Sequence, residues 1–247
     1  MPDFRSYYGD VAGNDIAEIA LSPEESAHLV ASNRARVGHP VVAFNGKGQE
    51  WNCTLSKADK KRAILKVDTS ISKQFAGAKI SVAQCLPKGK IFENIIRKST
   101  ELGAHSIYPL SSDNSEFRLK KERADTKDAK WTQATIEGCK QSGNPFLPII
   151  QSVSTASNLI ASDLSAFDIK LVACLRENSI SLKKVLKNNL APNRSALVLI
   201  GPEGDLSNRE TDAAIEAGFL PFTLGPYVLR CETAALTCLS ILRHELA

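Results

Sequence analysis

Two short stretches in the C-terminal part of the chain contain the residue types and spacing that chemistry needs. In the first, residues 197–210, an apolar strand runs into Gly201-Pro202-Glu203-Gly204 and then into a helix start. Glycines beside an acidic residue pack poorly in a core, but they let a ligand approach the backbone closely. Ser207 and Glu210 have the spacing of a capping box, which predicts that a helix begins directly after this loop.

Three interpretations fit this loop: an ordinary strand-to-helix connection, a phosphate cradle, and a pocket for a neutral or cationic ligand. Helix N-termini attract anions, which favours the cradle. Against it, the stretch lacks the Lys-Ser/Thr ending of a P-loop, and the charges of Glu203 and Asp205 repel phosphate. The residue types therefore favour a neutral or cationic ligand over phosphate.

The second stretch, residues 224–242, begins with Leu224-Gly225-Pro226 at the end of a predicted strand. It ends in a predicted C-terminal helix whose leucines recur at helical spacing on an inner face. Between them lies an apolar-then-charged turn that contains Arg230 and Glu232. Taken alone, these two residues fit a surface ion pair beside a well-packed helix better than they fit a functional pair.

Composition and charge exclude several classes of protein. With 43% apolar and 23% charged residues in 247, the chain is typical of globular proteins, and its net charge of +4 permits an anionic partner without requiring one. The six cysteines form no CxxC pair, the four histidines form no HExxH, and no apolar run is long enough to span a bilayer. We therefore expect a cytoplasmic protein with reduced thiols, no metal site, no disulfide framework and no membrane span.

The first 75 residues predict a small β-rich module. Ser22 to Glu25 form a second capping box, with proline at the first helical position. Residues 40–70 alternate apolar and polar side chains around two turn signals, Asn45-Gly46 and the lysine-rich stretch Lys57–Arg62. The pattern changes near residues 72–78, where we place the boundary between two domains, 1–74 and 75–247.

The larger domain alternates strands and helices. Predicted strands at 79–86, 106–110, 169–175, 196–200 and 222–224 are separated by helical patterns, including a long helix over residues 125–140. Gly103 is placed to end the helix before the second of these strands. Such alternation predicts an α/β domain with a mostly parallel sheet.

Together, the GPEG loop and the LG-x-x-x-LR-x-ET stretch about twenty residues later resemble the closing signature of the SPOUT methyltransferases. More narrowly, they resemble the RsmE family of 16S ribosomal RNA uridine-N3 methyltransferases. The resemblance covers nearly the whole chain. It extends to residues 88–110, which contain K-x-x-ELG, to Lys140-Gln141-Ser142, and to His28, Arg34, Arg36 and Gly38 in the N-terminal module.

The resemblance implies a SPOUT-type α/β domain with a deep trefoil knot, preceded by a PUA-like RNA-binding domain, in a homodimer. It also implies S-adenosyl-L-methionine as the cofactor. The competing methyltransferase design, a Rossmann domain with a GxGxG turn after its first strand, finds no match in the sequence. Matching the family's motifs residue by residue places the cofactor against Leu175, Ile200, Gly201, Pro202, Glu203, Gly204, Leu224, Gly225, Val228, Leu229, Thr233 and Ala234.

Methylation of uracil N3 requires loss of an imide proton, and a nearby cation stabilises the anion that forms. Arg230 is the candidate for this cation, or for a residue that grips the flipped uridine or its phosphate, and Glu203 and Glu232 are both candidates for the group that takes the proton. The same resemblance implies that 16S rRNA in the 30S subunit is bound through phosphate contacts. The basic residues placed for these contacts are Arg5, Arg34, Arg36, Lys88, Arg97 and Lys98.

The sequence departs from the family at Phe117, at Ser32-Asn33 and at Asn144, which affects the expected grip on RNA rather than the cofactor pocket. Two alternatives therefore stay open. One is another SPOUT enzyme that acts on tRNA or on a ribose 2'-hydroxyl. The other is an RNA-binding protein without catalytic activity, although such a protein would have no need to keep both loops.

Overall fold

The computed structural model describes residues 4–9, 16–89, 91–115, 124–176, 179–189 and 194–246. The chain divides into two compact units. The first unit comprises Met1–Phe75 and Ile136–Leu147, and the second comprises Ala76–Thr135 and Pro148–Ala247.

The first unit is built on a five-stranded sheet with the order β1-β3-β4-β5-β2. Only the β1–β3 pair is parallel, and the others are antiparallel. Its elements are β1 (Arg5–Tyr7), β2 (Glu18–Ala20), α1 (Pro23–Ala27), a π-helical turn (His28–Ser32), β3 (Pro40–Phe44), β4 (Gln49–Lys57) and β5 (Ile64–Ser72).

Both predicted hairpin turns of this unit are confirmed. Between β3 and β4, Asn45 Oδ1 accepts hydrogen bonds from the backbone N–H groups of Lys47 at 2.8 Å and Gln49 at 3.1 Å. Between β4 and β5, Asp59 Oδ1 accepts from the backbone N–H of Lys61 at 2.8 Å. In both turns a short polar side chain replaces a missing backbone acceptor.

Helix α1 begins at the predicted residue, but its cap is only half of a capping box. Ser22 Oγ accepts a hydrogen bond from the backbone N–H of Glu25 at 3.2 Å. The Glu25 carboxylate does not reach back to Ser22. It accepts instead from the backbone N–H of Tyr7 at 3.0 Å and from Lys140 Nζ at 2.9 Å, because it is buried beside these donors.

Residues 136–147 belong to the first unit, although residues 76–135 before them belong to the second. Leu147 donates its backbone N–H to Gly46 O at 2.8 Å, and Gly48 donates to Pro145 O at 3.1 Å. The rings of Phe75 and Phe146 pack edge to face with centroids 5.4 Å apart. The sequence predicts one boundary between the domains and does not assign residues 136–147 to the first. Their contacts with residues 46–48 join positions about a hundred residues apart, which local patterns do not reveal.

The second unit is an α/β domain whose eight strands all pair in parallel. Seven follow the order β11-β13-β10-β12-β6-β7-β8, and β9 pairs with β7. Helix α3 starts in this unit and ends in the first. The strands are β6 (Ile80–Cys85), β7 (Ser106–Ser111), β8 (Ile149–Ile150), β9 (Ser154–Thr155), β10 (Ile169–Ala173), β11 (Ile180–Ser181), β12 (Ala196–Ile200) and β13 (Leu220–Thr223). The helices are α2 (Ile91–Glu101), α3 (Ala124–Ser142), α4 (Ala156–Ile160), α5 (Leu182–Lys187), α6 (Asn208–Glu216) and α7 (Cys231–Leu246).

Two hydrophobic clusters cover the two faces of this sheet. One contains Val82 of β6 together with residues of α2 and α7, and the other contains the neighbouring Ala83 with residues of α4 and α6. Burial on both faces explains why β12 is apolar at every position. The predicted fold class, an α/β domain after a small β-rich one, is confirmed.

Strands β12, β10 and β13 are consecutive neighbours in the sheet. Because parallel strands point the same way, the loops that follow them leave from the same edge. In open α/β sheets ligands bind at this carboxyl edge. Both chemistry-bearing stretches of the sequence therefore leave the sheet at one place.

Candidate cofactor cavity

The GPEG loop ends at a helix that is capped as predicted. Ser207 Oγ accepts from the backbone N–H of Glu210 at 3.2 Å, and Glu210 Oε2 accepts from the backbone N–H of Ser207 at 3.0 Å. These reciprocal bonds satisfy two donors at the start of α6. The capping box therefore sets where the loop stops and the helix begins.

The loop after β7 holds the same helix start in place. Glu210 is buried, and its Oε1 accepts from the backbone N–H of Asp113 at 3.0 Å. Asp113 in turn pairs with Arg209 Nη2 at 2.9 Å. Its neighbour Asn114 donates through Nδ2 to the carbonyl oxygen of Gly204 at 3.1 Å. The GPEG loop is thus anchored by groups outside its own segment.

The loop itself makes a tight turn between Gly201 and Asp205. Asp205 has a backbone φ of 58°, in the left-handed region that Asp and Asn tolerate better than most residues. The side chain of Gln84, fully buried in β6, donates through Nε2 to Gly201 O at 3.3 Å and to Cys85 O at 2.8 Å. This amide connects the start of the loop to the adjacent strand.

The second loop runs from the end of β13 to α7, whose first turn closes with a hydrogen bond from the Ala234 N–H to the Arg230 carbonyl oxygen at 2.8 Å. Thr223 Oγ1 donates to Gly225 O at 3.1 Å and accepts from the Gly225 N–H at 3.4 Å. Tyr227 and Val228 expose 79% and 77% of their surface, so this loop presents apolar side chains to solvent.

A cavity of about 270 Å³ lies among the loops that follow β10, β12 and β13. Nine of the residues predicted for the cofactor line it, and so does Arg230. The nine are Leu175, Ile200, Gly201, Pro202, Glu203, Leu224, Val228, Leu229 and Ala234. The predicted residues that do not line it are Gly204, Gly225, Glu232 and Thr233.

The wall of the cavity also contains residues that sequence reasoning missed. They are Ala173, Cys174, Asp205, Phe222, Thr223, Tyr227 and Cys231. Most of them lie at the carboxyl ends of β10 and β13 or at the first residue of α7. The carboxyl-edge rule for parallel sheets is the signal that would have found them, once the strand ends were placed.

The ionisable groups of the cavity differ in their surroundings. Burial raises the pKa of Asp205 in spite of hydrogen bonds from the backbone N–H groups of Leu206 and Leu175. Burial likewise raises the pKa of the Cys231 thiol to about 12, helped by the neighbouring Glu232 carboxylate. Glu203 is exposed, and its Oε1 accepts from the backbone N–H of Lys88 at 3.0 Å.

Arg230 is exposed at the cavity and, among the residues that the structure describes, forms neither an ion pair nor a side-chain hydrogen bond. The surface ion pair with Glu232 that the sequence left open is not formed. Glu232 Oε2 accepts instead from Cys231 Sγ at 3.4 Å. The guanidinium is therefore available to a ligand or substrate.

The six basic residues predicted to contact RNA are not equivalent. Arg34 and Arg36 are exposed in the first unit, whereas the Arg5 side chain is 13% exposed and pairs with Glu50. This ion pair occupies the Arg5 guanidinium, which makes it a structural cation of the first unit.

In the second unit, Lys88 is exposed, Arg97 is partly buried, and Lys98 pairs with Glu101 at 3.0 Å. Two of the departures from the family pattern lie in the first unit. Asn33 ends the π-helical turn with a bond from its N–H to His28 O, and Asn144 Oδ1 accepts from the backbone N–H of Phe146 at 3.0 Å. Phe117 lies outside the described residues.

Among the described residues, no group of three or more His, Cys, Asp or Glu side chains is arranged to hold a metal ion. The same part of the chain contains no helix with the length and hydropathy that crossing a bilayer requires. The cavity itself is lined by apolar side chains, by backbone groups and by the acids Glu203 and Asp205, a combination that suits an aromatic ligand bearing a cation.

Two protein families match the chain. Residues 75–243 match the RNA methyltransferase domain, and residues 21–68 match the RNA methyltransferase PUA domain. Among curated proteins, "Ribosomal RNA small subunit methyltransferase E" of Bacillus subtilis is 30% identical over 98% of this chain and 96% of its own length. The protein of the same name from Aquifex aeolicus is 31% identical over 92% of this chain and 99% of its own.

Solved structures are similar over nearly their full length. A protein from Legionella pneumophila, solved with S-adenosylmethionine bound, has a TM-score of 0.88 and 28% identity, covering 98% of this chain and 97% of its own. A ribosomal RNA small subunit methyltransferase E from Neisseria gonorrhoeae shares the fold, with a TM-score of 0.84 and 24% identity over 98% of this chain and 97% of its own.

Proposed function

Because the chain belongs to the RNA methyltransferase family matched over residues 75–243, we propose that it transfers a methyl group from S-adenosylmethionine to N3 of a uridine in 16S rRNA of the 30S subunit. The Bacillus subtilis and Aquifex aeolicus relatives named for small-subunit rRNA methylation support the substrate class. The Legionella pneumophila structure with bound S-adenosylmethionine supports the cofactor.

The single observation on which the proposal depends is an arginine at the wall of the cavity that pairs with none of the residues in the described ranges. The carboxyl ends of three parallel strands surround that cavity with apolar side chains and open backbone, which suits the adenine ring of the cofactor. When bound, S-adenosylmethionine supplies a methyl carbon on a positively charged sulfur, open to in-line displacement. Among the lining residues that the structure describes, Arg230 is the one arginine.

Arg230 acts on the acceptor base. Uracil N3 attacks only as its imide proton leaves, and a guanidinium beside the base stabilises the resulting anion and lowers the pKa of N3. The electron pair of N3 forms the new bond to the methyl carbon while the carbon–sulfur bond breaks with its electrons on sulfur. Of the two candidate proton acceptors, Glu203 lines the cavity and Glu232 does not, so Glu203 is the better placed.

RNA is held by phosphate contacts from the exposed cations Arg34, Arg36, Lys88 and Lys98 and from the partly buried Arg97. The target base is turned out of its stack to reach the methyl group. By its family, the protein works in the cytoplasm as a homodimer, with the α/β domain of residues 75–247 tied in a deep trefoil knot and the PUA-like domain in residues 1–74.

Methyl transfer from labelled S-adenosylmethionine to 30S subunits that lack the mark, followed by primer extension, tests this proposal. A methyl on N3 blocks Watson–Crick pairing, so reverse transcriptase is expected to stop beside one uridine of 16S rRNA. Incorporation without a stop would contradict N3 as the acceptor, and labelling of tRNA instead would favour the alternative SPOUT activity. Cofactor binding without any transfer to RNA would favour the non-catalytic alternative.

A further inference from the structure

Asp205 places a carboxylate in the cavity where the backbone does not need a charge. Its φ of 58° is open to glycine without strain and to asparagine about as well as to aspartate, so the turn alone does not explain the acid. Oδ1 accepts from the backbone N–H of Leu206 at 2.8 Å, and the carboxylate also accepts from the Leu175 N–H. Two loops of the cavity wall therefore hold this group in a fixed position.

Within the described part of the chain, the Asp205 carboxylate has no counter-ion of its own. Among the residues described, it forms no ion pair. The cation whose field reaches it, Arg176, is already bound to Asp212 Oδ1 at 2.6 Å and to Asn208 O at 3.2 Å. Burial weakens solvent screening around a charge, so an uncompensated carboxylate in this position attracts a cation more strongly than an exposed one.

Glu203, the other acid of the cavity, is in a different situation. Its side chain is exposed to solvent, and one carboxylate oxygen accepts from the Lys88 backbone N–H. Solvent screens an exposed charge within about a Debye length, on the order of 10 Å. The partly buried Asp205 therefore exerts the stronger and better directed field inside the cavity.

We propose that Asp205 determines the preference of the cavity for the methyl donor over the spent product. This proposal rests on the proposed function. The donor sulfur is a sulfonium with one positive charge, and it becomes a neutral thioether when the carbon–sulfur electron pair stays on sulfur. Attraction to the Asp205 carboxylate is therefore present before transfer and absent afterwards. The carboxylate favours binding of the donor and weakens retention of the product.

Binding measurements on the whole chain separate this role from a structural one. Calorimetry at pH 8 gives the dissociation constants of three ligands: S-adenosylmethionine, the neutral S-adenosylhomocysteine, and sinefungin, which carries an amine in place of the methylated sulfur. Asp205→Asn keeps an acceptor for the Leu206 N–H and tolerates the left-handed backbone, so it removes only the charge. Its affinity for both cationic ligands is expected to fall about tenfold, and its affinity for S-adenosylhomocysteine is expected to stay within twofold.

Glu216→Gln is the matched control, because Glu216 is an exposed acid of α6 that does not line the cavity. It is expected to leave all three affinities unchanged. If Asp205→Asn folds poorly, Asp205→Gly replaces it in the test because glycine also keeps the backbone conformation. This variant is expected to show the same loss of affinity for the cationic ligands.

Equal weakening of all three ligands by Asp205→Asn would overturn the proposal, because the carboxylate would then act on a group that donor and product share, or on the loop. Unchanged affinities for all three would overturn it as well. These outcomes are distinct from failure of the proposed function, in which the unsubstituted protein would bind none of the three ligands or would transfer no methyl group to RNA.

Discussion

The Asp205 carboxylate occupies the space next to Gly201 that a side chain would need. A Cβ on Gly201 would lie 2.8 Å from Asp205 Oδ1 and 2.9 Å from the backbone nitrogen of Leu206. Real Cβ contacts essentially never fall below 3.0 Å. The glycine is therefore required by the turn itself, since the chain folds back over it within four residues.

Gly201→Ala is expected to destabilise the protein by about 1–3 kcal/mol, the usual cost of forcing an extra methyl group into a packed site. Because Asp205 and Leu206 must shift to make room, affinity for S-adenosylmethionine is expected to fall by about tenfold or more. Urea unfolding and calorimetry measure the two effects. Gly204→Ala is the control: a Cβ there meets Asn114 Cβ at 3.5 Å, an ordinary contact, and is expected to cost less than about 0.5 kcal/mol.

Arg230→Ala is expected to lower kcat for methyl transfer by about 10²–10³-fold, as is typical when one group that stabilises developing charge is removed. The dissociation constant of S-adenosylmethionine is expected to change little, since the arginine acts on the acceptor base. Single-turnover transfer to 30S subunits and calorimetry separate the two. Arg209→Ala removes an arginine that pairs with Asp113 and does not line the cavity, and it is expected to keep normal kcat. Equal kcat values for the two variants would show that Arg230 has no role in catalysis.

Glu50 is expected to make the stability of the protein depend on pH in the acid range. Burial by itself raises the pKa of this carboxyl, but hydrogen bonds and charges from Lys73 and Arg5 outweigh it and hold the pKa below its usual value of 4.5. A lowered folded-state pKa contributes stability that is complete above the unfolded pKa and is lost as pH falls through the folded one. Stability is therefore expected to decline below about pH 4.5.

Urea unfolding between pH 7 and pH 3 measures this decline. Glu50→Gln is expected to be less stable at pH 7 and to lose less on acidification, because the group that binds the proton is gone. Glu18→Gln removes an exposed carboxylate on β2 and is expected to keep the slope of the unsubstituted protein. If Glu50→Gln also keeps that slope, the pH dependence comes from other groups.

The buried ion pair between Glu25 and Lys140 is expected to hold residues 136–147 in the first unit. The two side chains are 6% and 9% exposed, and Lys140 Nζ lies 2.9 Å and 3.0 Å from the two carboxylate oxygens. Lys140→Met leaves a buried carboxylate without its counter-ion, which typically costs about 3–5 kcal/mol. The free energy of unfolding in urea measures this loss.

The double variant Glu25→Gln with Lys140→Met is the matched test for this pair. Because it removes both charges, it is expected to cost less than the sum of the two single changes. Additive losses would mean that the two side chains stabilise the unit independently. Lys98→Met, which breaks a pair whose lysine is 47% exposed, is expected to cost no more than about 1 kcal/mol.

Local sequence patterns predict the main elements and the two loops of the candidate site. Local physics decides these features: the Ser207–Glu210 capping box, the Asn45-Gly46 turn, and the run of apolar residues in β12 all depend on neighbours within a few positions. Most of the cofactor residues carried over from the family motifs also line the cavity.

Packing between distant segments sets which groups meet across the chain. It paired Arg5 with Glu50, released Arg230 from Glu232, returned residues 136–147 to the first unit, and brought Asp205 beside Gly201 at the cavity wall. Each outcome depends on burial and on the distance between segments far apart in sequence. The spacing of residues in a motif contains neither quantity. Motifs therefore predict which residues lie near the site, and packing determines which of their charges are neutralised by a partner.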